Sequence, residues 1–196
     1  MSALTPPPPR LIVGLSGASG TIYGIRILEM LRRIGVESHL VMSRAAEITL
    51  GYESDLTADQ VRALATFAHS VDNIAAPPAS GSFRTLGMIV APCSIRTMSE
   101  IASGVTTSLL TRAADVTLKE RRRLVLMVRE TPLHAGHLRT MLNLTEMGAV
   151  IAPPVPGFYA RPQNLDDLVE HTAGRALDLF GLDCGTLRRW GEPSGE

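Results

Sequence analysis

Five short apolar segments, each followed by a stretch of helical periodicity, constrain the fold of this 196-residue chain more than any other feature. Apolar residues that recur at helical spacing, such as Ile22, Ile25 and Leu31, indicate helices with one buried face. Strands that alternate with helices predict a parallel sheet covered by helices on both faces, which is a three-layer α/β fold. The predicted strands are 10–15, 37–42, 86–91, 124–128 and 149–152.

Capping signals help to place the predicted helices. Ser43 is suited to cap the second helix, and Thr57 with Gln60 forms a capping-box pattern before the third. Gly35 is suited to end the first helix in the left-handed conformation. The helices are expected over 21–34, from 43 to about 52, 57–67, 98–103, 106–121, from 134 to about 147, and 165–180. Long irregular loops at 69–84 and 153–162 remain, and loops of this length are often functional.

The first predicted strand runs into the small-residue loop 16–20, with the sequence SGASG, and a helix follows. Unpaired N–H groups at a helix start, together with the helix dipole, favour an anion there. Ser16 and Ser19 add hydroxyl donors. The loop lacks the dinucleotide pattern G-x-G-x-x-G and the P-loop pattern G-x-x-x-x-G-K-[ST]. The residues alone are therefore compatible with an anion-binding loop and with a plain strand–helix turn.

Polar residues follow each of the five predicted strands. In open parallel sheets, ligands bind beyond the carboxyl ends of the strands. The residues expected there are 17–19, Ser43, 94–97, Arg129, Glu130 and Tyr159. Because they offer hydroxyl, guanidinium and carboxylate groups at one edge of the sheet, we expect a ligand site there.

Composition limits the classes of function that remain. The chain is 45% hydrophobic and 19% charged, and its 19 Lys and Arg residues balance 19 Asp and Glu residues. A broad basic surface for nucleic acid or anionic lipid is therefore not expected. Cys93 and Cys184 do not make a disulfide framework, and the sequence has no C-x-x-C or H-E-x-x-H metal-binding pattern.

The pattern of the termini favours one domain with two tails. Residues 1–9 end in four prolines and predict a flexible N-terminal tail, residues 10–182 a single α/β domain, and residues 183–196 a C-terminal tail. The sequence shows no signal-peptide pattern and no apolar run long enough to span a bilayer. We therefore expect a cytoplasmic protein without membrane association.

Seven short motifs resemble those of the UbiX-type flavin prenyltransferases. They are SGASG at 16–20, APPASGS at 76–82, APCS at 91–94, RAAD at 112–115, LKER at 118–121, RETPL at 129–133 and PGFY at 156–159. The resemblance extends from about residue 10 to about residue 190. It implies a Rossmann-like or flavodoxin-like fold, with residues 10–182 as the flavin-binding domain, and a homododecameric assembly.

The resemblance also implies an activity. Members of this family transfer a dimethylallyl group from dimethylallyl monophosphate to N5 and C6 of reduced FMN, without a metal. The prenylated flavin serves UbiD-type decarboxylases. No metal is needed if Arg and Lys side chains stabilise the charge that develops on the leaving phosphate.

Roles for individual residues follow from the same resemblance. The flavin-binding residues would be Gly17, Ala18, Ser19, Ser43, Ser94, Ile95, Arg96, Thr97 and Arg129. The prenyl phosphate would meet Glu53, Arg112, Lys119, Tyr159 and Arg175. Glu130 is the candidate for moving protons at flavin N5, and Ser19 with Glu53 would complete a catalytic relay.

Simpler interpretations of several of these residues stay open on the sequence alone. Ser94 and Thr97 suit ordinary helix capping, and Glu130 suits a carboxylate at a helix start. Arg112 and Lys119, with an Asp between them at helical spacing, suit a surface ion-pair ladder. Arg175 lies at the edge of an apolar helix stripe, where it either meets an anion or reaches past the stripe to water.

Two departures from the family pattern and two competing functions remain. Ile74 stands where some relatives have Trp, and Arg96 stands where a small or apolar residue is common. One competing function is an FMN-dependent cysteine decarboxylase, which uses a His base; four of the five histidines, at 69, 134, 137 and 171, do not form a pattern typical of that class. The other is a non-catalytic flavin carrier or decarboxylase subunit. Cys93 follows a buried strand and is expected to pack rather than to react.

Overall fold

The computed structural model describes residues 8–185 and 187–191, and these residues contain one six-stranded parallel sheet. Along the sheet the strands lie in the order β3-β2-β1-β4-β5-β6. They are β1 Arg10–Leu15, β2 Glu37–Met42, β3 Phe67–His69, β4 Gly87–Cys93, β5 Arg123–Val128 and β6 Ala149–Ile151. This is the doubly wound, Rossmann-like order, in which the direction of winding reverses between β1 and β4. The expected α/β fold with a parallel sheet is confirmed.

In the described part of the chain, seven α-helices cover the two faces of the sheet. They are α1 Thr21–Arg33, α2 Arg44–Glu53, α3 Ala58–Leu64, α4 Ile95–Ala102, α5 Leu109–Lys119, α6 Ala135–Glu146 and α7 Leu165–Asp178. Side chains of α1, α2, α3 and α7 belong to one buried apolar cluster, and those of α4, α5 and α6 belong to the other. The chain thus builds one hydrophobic core on each side of the sheet.

The central strands serve both cores because successive side chains of a strand point to opposite faces. In β1, Leu11, Val13 and Leu15 lie in the cluster beneath α1 and α7, whereas Ile12 lies in the cluster beneath α4 and α5. All four side chains are almost completely buried. This explains why the strand is apolar without a break, as expected for a parallel strand that is covered on both faces.

The prediction of five strands was wrong by one, because the edge strand β3 fell between the end of a predicted helix at Phe67 and the start of a predicted loop at His69. The helix expected over 57–67 ends at Leu64, and the next residues, Phe67–His69, pair in parallel with β2. The predicted capping box at Thr57 and Gln60 is present. β3 is short and partly exposed, so it carries neither the apolar run nor the alternation that identifies a strand in a sequence.

Two other helix starts differ from the prediction, and capping serines explain both. The helix expected at 98 begins at Ile95, because the Ser94 hydroxyl accepts a hydrogen bond from the backbone N–H of Thr97. The helix expected at 106 begins at Leu109, after a capping box formed by Ser108 and Thr111. A serine cap fixes the helix start more sharply than the apolar periodicity does.

Most of the predicted N-terminal tail, and part of the predicted C-terminal tail, lie outside the described residues. Within the described part, the carbonyl of Pro9 accepts a hydrogen bond from the backbone N–H of Glu37, so the chain joins the sheet immediately before β1. None of the helices in the described part is both long and apolar enough to cross a bilayer.

Candidate functional site

A buried serine joins the two loops at the point where the sheet changes its winding direction. The Ser16 hydroxyl, after β1, donates to the carbonyl of Pro92 at 2.9 Å and accepts from the backbone N–H of Ser94 at 2.7 Å. The Ser16 side chain is fully buried. The loops after β1 and β4 are therefore held together by hydrogen bonds, and they form the crevice in which open α/β sheets bind ligands.

The switch-point cleft, of about 340 Å³, lies beside this junction and contains several predicted flavin-binding residues. Its polar side chains are mainly hydroxyls, together with two ion pairs at its rim. Its lining includes Gly17, Ser43, Ser94, Arg96, Thr97, Ser108 and Thr111. Five of the predicted flavin-binding positions thus line one cleft: Gly17, Ser43, Ser94, Arg96 and Thr97.

Gly17 is required here by packing. A Cβ atom at Gly17 would lie only 2.4 Å from the Cβ of Ala45, so α2 approaches the loop as closely as a glycine permits.

The other predicted flavin-binding residues near this cleft differ in exposure. Ala18 is half-buried and donates its N–H to the Ser16 carbonyl at 2.8 Å, whereas Ser19 is exposed. Ile95 is half-buried in the first turn of α4.

Helix caps account for the local geometry of the serines in this cleft. The Ser43 hydroxyl accepts from the N–H of Ala46 at 3.1 Å, and the Ser94 hydroxyl accepts from the N–H of Thr97 at 3.2 Å. The Ser94 hydroxyl also donates to the Thr97 side chain. Since a hydroxyl oxygen has two lone pairs, capping leaves Ser43 and Ser94 with capacity for a further hydrogen bond to a ligand. Arg96 is exposed and pairs with Glu100 at 2.8 Å.

The start of α1 does not offer a free anion site, because the carboxylate of Glu53 occupies it. Glu53, the last residue of α2, accepts from the N–H of Gly20 at 2.9 and 3.1 Å, and from the N–H and hydroxyl of Thr21 at 3.0 Å each. Gly20 adopts φ 100°, a conformation that side chains rarely tolerate. The end of the SGASG loop and the start of α1 do bind an anion, but this anion is the Glu53 carboxylate of the protein itself.

These contacts set the ionisation of Glu53. Partial burial alone would raise its pKa, but hydrogen bonds from Ser19, Thr21 and Gly20 outweigh that effect and hold the pKa below its ordinary value. Glu53 is therefore ionised at neutral pH. An ionised carboxylate accepts hydrogen bonds and can orient a donor, but its lowered pKa makes Glu53 a weaker base than an ordinary glutamate.

A second cleft, the α1 cleft, of about 630 Å³, brings three predicted site residues together. Ser19, Glu53 and Arg129 all line it, along with Tyr23 and Val169. Arg129 follows β5, and its backbone N–H donates to the carbonyl of Cys93 at 3.0 Å, so the loops after β4 and β5 are joined. The cleft thus holds a hydroxyl, a carboxylate and a guanidinium group.

Glu130 lies next to Arg129 in the same strand-end loop and is exposed. Its carboxylate accepts a hydrogen bond from the backbone N–H of Thr131 at 2.9 Å. The helix that follows, α6, begins only at Ala135 and is capped by the Nδ1 atom of His134. The interpretation of Glu130 as a helix-start carboxylate is therefore wrong, and its second carboxylate oxygen makes no hydrogen bond within the described residues.

A third cleft, the α7 cleft, of about 280 Å³, contains Tyr159 and Arg175. His171 and Thr172, on the same helix as Arg175, complete its polar lining, and apolar residues such as Met127 form the rest. Arg175 pairs with Asp178, and Asp178 also pairs with Arg189 at 2.7 Å. The sequence reasoning identified Tyr159 and Arg175 but missed His171, although its spacing of four residues from Arg175 places both on one helix face.

Arg112 and Lys119 lie apart from these three clefts. Arg112 donates to the carbonyl of Ala79 at 3.3 Å and pairs with Asp115 at 2.8 Å. Lys119 pairs with Glu120. The predicted ion-pair ladder on α5 is present in part, and the single chain does not bring these two cations to Tyr159 and Arg175.

Among the described residues, no group of three or more His, Cys, Asp or Glu side chains is arranged to hold a metal ion. Cys93 is fully buried, and burial raises the pKa of its thiol to about 12. Ile74, a departure from the family pattern, is exposed. The chemistry available in the three clefts is therefore that of hydroxyl, guanidinium, imidazole and carboxylate groups.

Comparison with known proteins gives consistent matches over almost the whole chain. A sequence model of the flavoprotein family matches residues 4–177. A flavin prenyltransferase UbiX from Thauera aromatica is 57% identical over 181 residues, which cover 92% of this chain and 93% of that protein. A flavin prenyltransferase UbiX from Escherichia coli K12 is 59% identical over 174 residues, which cover 88% and 92%.

Solved structures give the same result. The crystal structure of AnUbiX (PadA1) in complex with FMN and dimethylallyl pyrophosphate matches with a TM-score of 0.93 and 52% identity, over 96% of this chain and 100% of that one. A dodecameric FMN-dependent UbiX-like decarboxylase from Escherichia coli O157:H7 matches with a TM-score of 0.90 and 48% identity, over 93% and 100%. An FMN-dependent cysteine decarboxylase, TvaF, is only 16% identical at a TM-score of 0.64, which shows a shared fold alone.

Proposed function

Because this chain belongs to the flavoprotein family and, within it, to the UbiX-type flavin prenyltransferases, we propose that it transfers a dimethylallyl group from dimethylallyl monophosphate to reduced FMN. The C–O bond of the allylic phosphate breaks, bonds form to N5 and C6 of the flavin, and inorganic phosphate leaves. The product is a prenylated flavin for a decarboxylase of the UbiD type. The cytoplasm is the location that we predict for this reaction.

The observation that carries the proposal is the convergence of Ser19, Glu53 and Arg129 in the α1 cleft, next to the hydroxyl-lined switch-point cleft. A flavin that extends between the two would meet hydroxyl groups along its polar chain and phosphate, and the ionised Glu53 near its ring. The donor set fits FMN, since hydroxyls and backbone N–H groups bind phosphate and ribityl oxygens. Reduced FMN, when bound, supplies the nucleophilic ring atoms.

The chain's own residues have distinct tasks in this proposal. Ser43, Ser94 and Thr97 would hold the polar part of the flavin, and Arg129 would form charge-assisted hydrogen bonds to it. Tyr159 and Arg175 would bind the phosphate of the prenyl donor and stabilise the charge that it gains as the C–O bond breaks. Glu130 would move protons at N5, and its free carboxylate oxygen is available for that task.

We also propose that several copies of the chain complete each site. Arg112 and Lys119 belong to the predicted phosphate set but lie on α5, outside the α7 cleft of the same chain. A neighbouring copy is the simplest source of the missing cations. A similar protein from Escherichia coli O157:H7 is a dodecamer, and we propose a homo-oligomer of that kind here.

The test is an anaerobic incubation with reduced FMN and dimethylallyl monophosphate, followed by mass spectrometry of the extracted flavin. We expect the flavin mass to increase by one C5H8 unit, with release of one phosphate. An unchanged flavin, in the presence of an active reference prenyltransferase, would contradict the proposal. Unchanged flavin that stays tightly bound would favour the carrier function, whereas CO2 release from a cysteine-terminated peptide would favour the decarboxylase function.

A further inference from the structure

A buried histidine in the α7 cleft has a ring nitrogen without a partner among the residues that the structure describes. His171 lies in the second turn of α7 and only 8% of its surface is exposed. Its Nε2 atom is buried and makes no hydrogen bond to any described residue. Buried polar atoms are nearly always paired with protein, water or ligand, so an unpaired one in a cleft indicates a binding partner.

The packing around His171 fixes the orientation of its ring. The ring of Tyr159 stands edge-on to it, with centroids 5.3 Å apart at an angle of 83°. On another side, a Cβ atom added to Gly157 would lie 3.1 Å from the His171 Cε1 atom, so the backbone approaches the ring closely there. Because the ring cannot turn freely, the donor or acceptor at Nε2 is held in a defined place.

The same cleft contains the two groups that we assign to the prenyl phosphate. Tyr159, His171 and Arg175 all line it. Arg175 is already paired with Asp178, which reduces the charge that it can offer to an anion. A further hydrogen-bond donor on the same helix face would compensate, because a phosphate has more acceptor positions than one phenol and one shared guanidinium can satisfy.

We propose that His171 is a further phosphate-binding residue, which donates a hydrogen bond from Nε2 to the phosphate of the allylic substrate. This inference rests on the proposed function, because that function identifies the anion as an allylic phosphate. His171 then touches the leaving group together with Tyr159 and Arg175.

The test compares variants that keep or remove the donor. His171→Phe preserves a flat ring and removes the donor, whereas His171→Gln places an amide N–H near the position of Nε2. We expect His171→Phe to raise the KM for dimethylallyl monophosphate about tenfold, the effect of losing one hydrogen bond to a charged group. FMN affinity should stay within about twofold, and His171→Gln should recover most of the KM.

Two outcomes would overturn the inference. The first is a wild-type KM in His171→Phe; the second is an equal loss in both variants together with weaker FMN binding, which indicates a structural role. If His171→Phe does not fold, His171→Leu serves as the second variant without a donor. If the wild-type protein makes no prenylated flavin, the proposed function fails independently of this inference. The role of His171 is then tested by the affinity of the wild-type and variant proteins for inorganic phosphate. Equal affinities would overturn the inference.

Discussion

The carboxylate of Glu53 accepts hydrogen bonds of 3.0 Å from both the backbone N–H and the hydroxyl of Thr21, the first residue of α1. The two residues come from different helices, so this contact joins the end of α2 to the start of α1. Gly20 supplies a further N–H to the same carboxylate. A side chain with a candidate catalytic role thus also supplies the negative charge that the dipole of α1 favours.

Replacing Glu53 should therefore cost both stability and activity. We expect Glu53→Gln to lower the free energy of unfolding by about 1 kcal/mol, because the charge at the helix N-terminus is lost. Urea unfolding measures the difference. Since the folded-state pKa of Glu53 is lowered, the difference should be complete above its ordinary pKa and should disappear as the pH falls through the lowered value.

Asp55→Asn is the matched control for Glu53→Gln. Asp55 is an exposed carboxylate two residues further along, and its side chain has no hydrogen bond in the described part of the chain. Its replacement should leave the unfolding free energy within about 0.5 kcal/mol of wild type. Equal stability of Glu53→Gln and wild type at pH 7 would contradict the capping role.

The buried hydroxyl that joins the loops after β1 and β4 should be required for the cofactor site. Ser16→Ala removes the acceptor of the Ser94 N–H and the donor to the Pro92 carbonyl. We expect a loss of about 1–3 kcal/mol in unfolding free energy, because a buried N–H is left unpaired, and weaker FMN binding. Denaturation and FMN titration are the measurements, and Ser103→Ala, an exposed serine at the end of α4, should change neither.

A histidine pair at the edge of the sheet should make stability depend on pH. The Nδ1 atom of His39 lies 3.0 Å from the Nε2 atom of His69. Burial lowers the pKa of both imidazoles below the ordinary 6.5, and repulsion from His39 lowers that of His69 further. The unfolded chain binds more protons than the folded one below that value, so stability falls as the pH decreases through it.

We expect the wild-type protein to lose unfolding free energy between pH 7.5 and pH 5.5, by at most about 1.4 kcal/mol per histidine for each pH unit below 6.5. Urea denaturation at the two pH values measures this loss. A double variant, His39→Gln with His69→Gln, should lose much less stability over the same range. An identical loss in wild type and double variant would show that other groups cause the pH dependence.

Glu130 should affect the reaction and not the binding of the flavin. Glu130→Gln keeps the shape of the side chain and removes its ability to exchange a proton. We expect the rate of prenylated-flavin formation to fall about a hundredfold or more, with FMN affinity unchanged. Glu146→Gln, an exposed glutamate at the end of α6, is the control. Normal turnover by Glu130→Gln would remove this residue from the mechanism.

Mixed oligomers should reveal sites that are shared between copies. Lys119→Ala and Arg175→Ala should each be inactive alone, because each removes one cation of the proposed phosphate site. If the two cations come from different copies, co-expression of the two variants should restore about a quarter of the wild-type activity, since random pairing leaves that share of sites intact. No recovery in co-purified mixed oligomers would place both cations in one chain's site.

Much of the fold was predictable because its central strands are apolar on both faces and because α2 and α3 begin at the expected caps, Ser43 and Thr57. β1 and β2 lie at the predicted residues, as does the cap at Ser43. The edge strand Phe67–His69 was not predictable, since three partly exposed residues give too little pattern. Its position is determined by hydrogen bonds to β2, which are contacts between residues distant in the sequence.

The candidate site was predictable as a set of strand-end loops, and less so in its detailed contacts. The convergence of Gly17, Ser43 and Ser94 follows from the parallel sheet alone. The occupation of the α1 N-terminus by Glu53 depends on a contact across 33 residues, which no local pattern reveals. The separation of Lys119 from Arg175 likewise depends on how α5 and α7 pack on the sheet, which no local pattern reveals.

The carboxylate at the start of α1 has a practical consequence for inhibitor design. A compound with an acidic group aimed at this helix end would be repelled, because Glu53 already holds the N–H groups of Gly20 and Thr21. A ligand for the α1 cleft should instead present a hydrogen-bond donor or a cationic group to Glu53. An acidic group of such a ligand should instead lie beside Arg129, whose positive charge lines the same cleft.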